Sequence, residues 1–317
     1  MKILRQESGM VLLLVLVVIT LLAALVTELA FSTLVDLRLT ETFRDSTKAY
    51  YLAKGGVRAG SSILQRDSNS YDAPGDPAEL WSQGIAQYPV GDGVVSVRII
   101  DLGGMINLNA LVNTNGSNVN PTVKDRVKRL FDNLGINEGE TLTAALIDWI
   151  DEDDRVYIDP DTNRATGAEA SYYLQREKPV NCKNGPLESL EELQLVREFS
   201  AELVQRIAPY VTLYGNDKIN VNSASAEVLM ALSADPEITR DAAESIIARR
   251  EKEPFKTIAA LAWINSIPGL SNLLREPLQV TSSVYRIEAW AAVNDGARQA
   301  EAIVVKDGNQ LLYFKVD

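Results

Sequence analysis

The sequence predicts an α+β protein: a long N-terminal helix, an antiparallel sheet, and a large α-helical domain inserted into that sheet. Three observations carry this. Residues 10–26 hold a single polar side chain, Thr20, and helical apolar periodicity continues well beyond them. One strand-like run, VVSVRII at 94–100, stands far from three alternating runs at the C-terminus. The intervening stretch of about 180 residues reads mostly as helix.

The apolar run 10–27 is long enough to cross a bilayer core, which takes roughly 17–25 residues. A secretory signal has a shorter apolar region of about 7–15 residues followed by an A-x-A-like cleavage site, and no such site follows here. Instead Leu29, Leu34, Leu37, Phe43, Tyr50, Val57 and Leu64 recur at helical steps, with no proline before Pro74. The expectation is one helix over 10–66, lipid-embedded at first and amphipathic after, with a bend at Gly55-Gly56. Lys2 and Arg5 precede the span, so the positive-inside rule leaves the N-terminus in the cytoplasm and the bulk outside it.

Residues 67–104 open as a turn-rich connection and end in the first strand; 279–317 form a β-meander, its runs joined by NDGA and KDGN, strong hairpin signals. The insertion, 105–278, echoes itself. INLN at 106–109 returns as INVN at 219–222, and PLESLEEL at 186–193 returns as PFKTIAAL at 254–261. The offset of the second pair also links Val196 with Ile264, Phe199 with Ile267, and Pro209 with Pro277. These matches predict two related helical units. The INxN segments then carry turns and helix caps, with Ser223 or a similar residue as a cap.

Composition excludes several functions. Of 317 residues none is histidine, which removes the Ser-His-Asp arrangement and the commonest zinc ligand. One cysteine, Cys182, permits no internal disulfide. A net charge of -12 makes duplex nucleic acid a poor partner, because its binding relies on neutralising phosphates.

Charge concentrates in LIDWIDEDDRVYIDPDTNRATGAEASYYL at 146–174, with Asp148, Asp151, Glu152, Asp153, Asp154, Asp159, Asp161, Asn163 and Glu169. Such carboxylates repel one another unless a cation or Arg155, Arg164 or Arg176 balances them. The DxDxN spacing at Asp159, Asp161 and Asn163 suits calcium, which takes 6–8 oxygen ligands. An EF-hand fits poorly: Arg164 stands where that loop needs glycine, and Glu169 falls one short of the twelfth position. A solvated acidic loop is the plain alternative. A glycosidase-like carboxylate pair has nothing here to position a substrate.

Two families share these features. A short charged leader, Ser8-Gly9, and an unbroken apolar helix resemble the type IV prepilins and pseudopilins. That resemblance implies a leader over 1–9, cleavage by a prepilin peptidase between Gly9 and Met10, and methylation of Met10. Prepilins carry glutamate at the fifth mature position; here it is Leu14, a lack known in the minor pseudopilin K family of type II secretion. That family also has a pseudopilin sheet with a large helical insertion, calcium-bound members, and a pattern similar to WIDEDD…GAE…YYL. It implies a non-catalytic structural role at the pseudopilus tip, with the I and J minor pseudopilins, other pseudopilins and secreted substrates as partners. Calcium would be held by Asp151, Asp153, Asp154, Asp159, Asp161, Asn163 and Glu169.

The competing resemblance is INVNSASAEVLMALSADPEITRDAAESIIARREKEPFKTIAALAWINSIPGL, which looks like the helix-hairpin-helix modules of membrane-tethered DNA-uptake receptors. The phosphate-binding place, at Ser233 to Ile238, lacks glycine and adds Asp235 and Glu237. A minor pilin of a type IV pilus shares the leader and stands as a further alternative.

Overall fold

The computed structural model describes residues 7–113, 116, 118–160, 162–270 and 277–317. Helix α1, Glu7–Arg66, runs without a break. A short α2 (Leu80–Gln83) leads into β1 (Ile85–Val90) and β2 (Gly93–Asp101). The chain then leaves the sheet through β3 (Ile106–Asn107), α3 (Pro121–Asn133), α4 (Gly139–Ile150), α5 (Ala170–Tyr173), α6 (Ala201–Ile207) and β4 (Val211–Thr212). A second unit follows: β5 (Ile219–Asn220), α7 (Ala226–Ala231), α8 (Arg240–Lys252) and β6 (Leu278–Gln279). The chain returns as β7 (Val284–Val293), β8 (Gly296–Val305) and β9 (Leu311–Val316). The main sheet has the order β1-β2-β7-β8-β9 and its registered pairs are all antiparallel. Residues 102–283 are therefore an insertion between two neighbouring strands.

The first part of α1 is apolar on all sides and wholly exposed, as a lipid-spanning helix must be when no lipid is present. From Asp45 onward it lies on the sheet. Ala53, Val57 and Leu64 pack against Val97, Ile99, Ile287, Ala289, Ala302 and Val304. Gly55-Gly56 makes no break. A Cβ on Gly56 would stand 2.9 Å from Ala289 Cβ and from Val95 Cγ2, and one on Gly60 would stand 2.9 Å from Ile287 Cγ2, so these glycines let helix and sheet approach closely. The connecting region contains β1, a strand not foreseen at residues 85–90; it is an exposed edge strand with a bulge and a proline, which obscure alternation.

The internal echo is structural. β3 pairs in parallel with β4, and β5 pairs in parallel with β6, closing each unit at its ends. In the first unit Asn109 clasps Leu187: its Nδ2 donates to the Leu187 carbonyl at 2.9 Å, and its Oδ1 accepts from the Leu187 N–H at 2.7 Å. In the second, Asn222 clasps Phe255 in the same way, at 2.9 and 2.9 Å. Asn107 and Asn220 each turn the chain by accepting from the amide two residues on. Ser189 and Thr257 cap equivalent 3-10 turns, Leu190–Leu195 and Ile258–Ser266. The cap of α7 is Ser225; Ser223 instead donates to Asp101 at 2.5 Å.

The insertion joins the sheet through a polar seam. Buried Asp101 also accepts from Asn220 Nδ2 at 2.9 Å and from the Gly103 N–H at 2.7 Å. Lys306, after β8, donates to Asp67 and Asp72 at 2.8 Å each, and Asp72 accepts from the Ser282 N–H at 2.7 Å. Glu79 beside them accepts from Asn69 at 2.7 Å and from the Trp81 indole; burial pushes it up to about 7. A buried polar joint of this kind tolerates one arrangement, because any shift orphans its members.

Candidate metal centre and assembly helix

The acidic stretch starts where α4 ends. Apolar side chains on all faces of α4 hold it in the core, with Trp149 donating to Glu192 at 2.9 Å. Its last turn delivers Asp148, fully buried, and its C-cap is Asp151. The loop then returns so that Glu169, at the start of α5, comes back to the same place, 3% exposed. Asp151, Asp153 and Glu169 each offer a carboxylate oxygen within 4.8 Å of the others.

Asp153 Oδ1 accepts from the Arg155 N–H at 2.8 Å, but among the described residues most of the oxygens gathered here lack partners. Both carboxylate oxygens of Glu169, Oδ1 of Asp151, Oδ2 of Asp148 and Oδ1 of Asn184 are buried without a hydrogen bond. Asp148 Oδ1 accepts from the Tyr157 N–H at 2.8 Å, and Gly167 leaves room for the other oxygen, which a Cβ there would strike. Asn184 ties the far side of the loop, donating from Nδ2 to the Asp153 carbonyl and to Asp154 Oδ1, both at 3.1 Å. Burial, then mutual repulsion, pushes Asp151 up to about 7 and Glu169 up to about 8; burial pushes Asp148 up to about 6. Buried acceptors without donors are costly, and several carboxylates together more so. A hard cation taking oxygen ligands would relieve both penalties.

The structure divides the sequence-derived ligand set. Asp151, Asp153 and Glu169 converge, and Asp154 borders them through Asn184. Asp159 faces elsewhere. It is 2% exposed, lies 3.9 Å from both Lys124 and Lys128 of α3, and accepts from the Thr162 N–H at 3.2 Å. Asn163, at φ 54, donates its own N–H to the Asp159 carbonyl and forms a turn. Asp161 lies outside the described residues. The DxDxN spacing thus makes a turn tethered to α3 by lysines far back in the chain. Arg176 does not balance the loop; it donates to the Leu195 carbonyl at 2.8 Å. Asp148 and Asn184 stand beside the converging carboxylates, and only chain folding brings Asn184 there.

At the other end, Gly9 and Met10 lie within α1. Among the described residues, no atom beyond the helix's own backbone and the chain neighbours lies within 4 Å of the place a Gly9 Cβ would take, so packing makes no demand for glycine there.

The helix-hairpin-helix-like basic residues are used internally. Arg250 donates to the carbonyls of Val221 and Ala224, at 2.5 and 2.7 Å, and Arg249 pairs with Glu253 at 2.9 Å and stacks over Phe255 and Trp263.

Known proteins are similar to this chain in sequence and fold. The chain is 27% identical to the type II secretion system protein K of Aeromonas hydrophila over 95% of its length and 94% of the relative's. It is also 27% identical to the Klebsiella pneumoniae protein of that name, over 96% and 94%. The fold matches a chain in the crystal structure of the GspK-GspI-GspJ complex from the enterotoxigenic Escherichia coli type 2 secretion system, with TM-score 0.65, 21% identity, and coverage of 90% of this chain and 99% of that one. Residues 104–216 and 219–281, together more than half of the chain, match the two family models described as type II secretion system (T2SS), protein K. The boundary between the matches falls between the two structural units, and the chain belongs to the type II secretion system protein K family.

Proposed function

We propose that this protein occupies the tip of a type II secretion pseudopilus, bound to the I and J minor pseudopilins, and that its acidic loop holds calcium. As a minor pseudopilin of the type II secretion system it is a structural component, not an enzyme. The observation that carries the tip reading is the insertion of residues 102–283 between two adjacent strands. A repeating filament subunit must fit between identical neighbours, and a subunit this wide fits better where no neighbour follows. Leu14 supports the same reading, since a chain without the buried carboxylate lacks one contact to a neighbour's N-terminal amine. The solved relative that shares this fold is itself in a complex with GspI and GspJ.

The exposed apolar segment of α1 would anchor the chain in the inner membrane, N-terminus in the cytoplasm, and pack against partner helices after assembly. Cleavage after Gly9 would leave Met10 as the methylated first residue. The unhindered Gly9 supports this, since a peptidase rather than packing would then require glycine.

Calcium would be held by Asp151, Asp153 and Glu169, with Asp148 and Asn184 beside them. It would neutralise the loop and tie the end of α4 to the start of α5. Asp148 is fixed by the Tyr157 amide and Asn184 by the Asp153 carbonyl, so their free oxygens are already oriented.

Co-production of the full chain with the I and J pseudopilins of its own system tests the assembly reading. A detergent-extracted ternary complex containing this chain trimmed to Met10 is expected. A chain that stays unassociated, or that retains its first nine residues in the complex, overturns it.

A further inference from the structure

The two edges of the main sheet differ. β1 is guarded: its pairing with β2 slips between Ile85 and Tyr88, Gln87 sits at φ 46, and Pro89 has no N–H. β9 has none of these devices along 313–316. Gln299 and Asp317 exchange both backbone hydrogen bonds, at 3.2 and 2.9 Å, and the register continues as Glu301 with Lys315 and Ile303 with Tyr313. In an antiparallel ladder such pairs alternate, so the N–H and C=O groups of Phe314 and Val316 point away from β8. β9 is the last strand in the sheet order, and those groups face an open edge.

A groove runs beside that edge, between β9 and α1. It measures about 520 Å³ and is lined by Val57, Leu311 and Phe314 together with Lys54 and Arg58. Leu311 is 55% exposed. Lys54 and Arg58 are one helical turn apart on α1. Among the described residues neither makes an ion pair; Lys54 only lies over the Phe314 ring, 6.0 Å from its centre. The groove thus sets an apolar floor beside two cations with no carboxylate partner, and a ligand's carboxylate would complement them.

We propose that the β9 edge and this groove dock an extended segment of another protein, one carrying an apolar side chain and a carboxylate two residues apart. An added strand lies about 4.8 Å beyond β9 and takes its hydrogen bonds from Phe314 and Val316. Its alternate side chains then fall on the α1 side of the sheet. There the apolar one meets Val57, Leu311 and Phe314, and the carboxylate meets Lys54 and Arg58. A second copy of this chain fits worse. Pairing β9 with β9 about a two-fold axis brings two Lys54–Arg58 pairs to the same seam and supplies no acid between them. The site does not depend on the tip placement, and it fails or stands separately from it.

The full-length protein in detergent, exposed to an array of immobilised octapeptides randomised at alternate positions, tests this. Retained peptides are expected to carry Asp or Glu two residues from Val, Ile or Leu. Two variants separate backbone from charge. Val316→Pro removes an outward N–H without touching the ladder to β8, and is expected to weaken retention at least tenfold. Lys54→Glu with Arg58→Glu is expected to switch the selected residue to Lys or Arg. On addition of a selected peptide, hydrogen exchange should slow at least tenfold at Phe314 and Val316 and stay unchanged at Tyr313 and Lys315. No retained peptides, retention indifferent to both variants, or a β9-dependent dimer in place of peptide binding overturns the proposal.

Discussion

Asn109 and Asn222 show how single residues repeat a structural solution. Each spends its amide on both backbone groups of the residue after a proline, Leu187 or Phe255. The INxN repeats were legible as cap and turn chemistry; their partners, 78 and 33 residues away, were not. Asn222→Ala is expected to destabilise the fold by about 1–3 kcal/mol, because it orphans a buried N–H and C=O. Chemical denaturation measures this, and Asn222→Asp, which sets a buried carboxylate against the Phe255 carbonyl, should cost at least as much as alanine. At the acidic loop, Glu169→Gln is expected to remove most of the calcium-induced rise in Tm, while Asp159→Asn should leave that rise intact and lower the metal-free Tm instead. The two carboxylates do different work: among the described residues Glu169 has no hydrogen-bond partner for either oxygen, whereas Asp159 faces two lysines. From the sequence both belong to one acidic run, since carboxylate density is visible there and side-chain direction is not.

Among the elements, α1 and the meander were the most legible. A long uninterrupted period of 3.6 and alternating runs joined by Asp-Gly turns are strong local signals. The Gly55-Gly56 pair was misleading, because glycine in a helix has two readings: a bend, or close packing. Here neighbours decide. Gly56→Val is expected to cost about 1–3 kcal/mol by overpacking against Ala289 and Val95, whereas Gly55→Ala, with nothing within 4 Å, should be neutral or slightly stabilising. Comparing Tm for the two variants checks this, and equal losses would restore the bend. β1 was illegible because an edge strand half released from its partner carries no alternation, and its exposure runs almost unbroken along its length.

At the scale of the whole molecule, the acidic loop links stability to pH. Without a cation, Glu169 and Asp151 hold protons in the folded state up to about 8 and about 7, against ordinary values of 4.5 and 3.8. The folded state therefore binds more protons than the unfolded one between those limits, and stability contributed by these groups falls as pH rises from about 4 toward 8. The proposed calcium would compete with those protons, so its stabilisation is expected to grow over the same range. Thermal melts at pH 6 and pH 8.5, with chelator and with saturating calcium, should show a larger calcium shift at the higher pH. A calcium shift that is equal at both, or larger at pH 6, would falsify the assignment of these carboxylates. The bare chain, then, was enough for everything periodic or local: the apolar rod, the strand meander, the duplicated units and the acidic run, because each is written in neighbouring residues. Folding alone decided which oxygens face one another, why Gly56 is glycine, and which sheet edge stays open, because those depend on residues far apart in sequence meeting across the sheet, the seam and the end of α4.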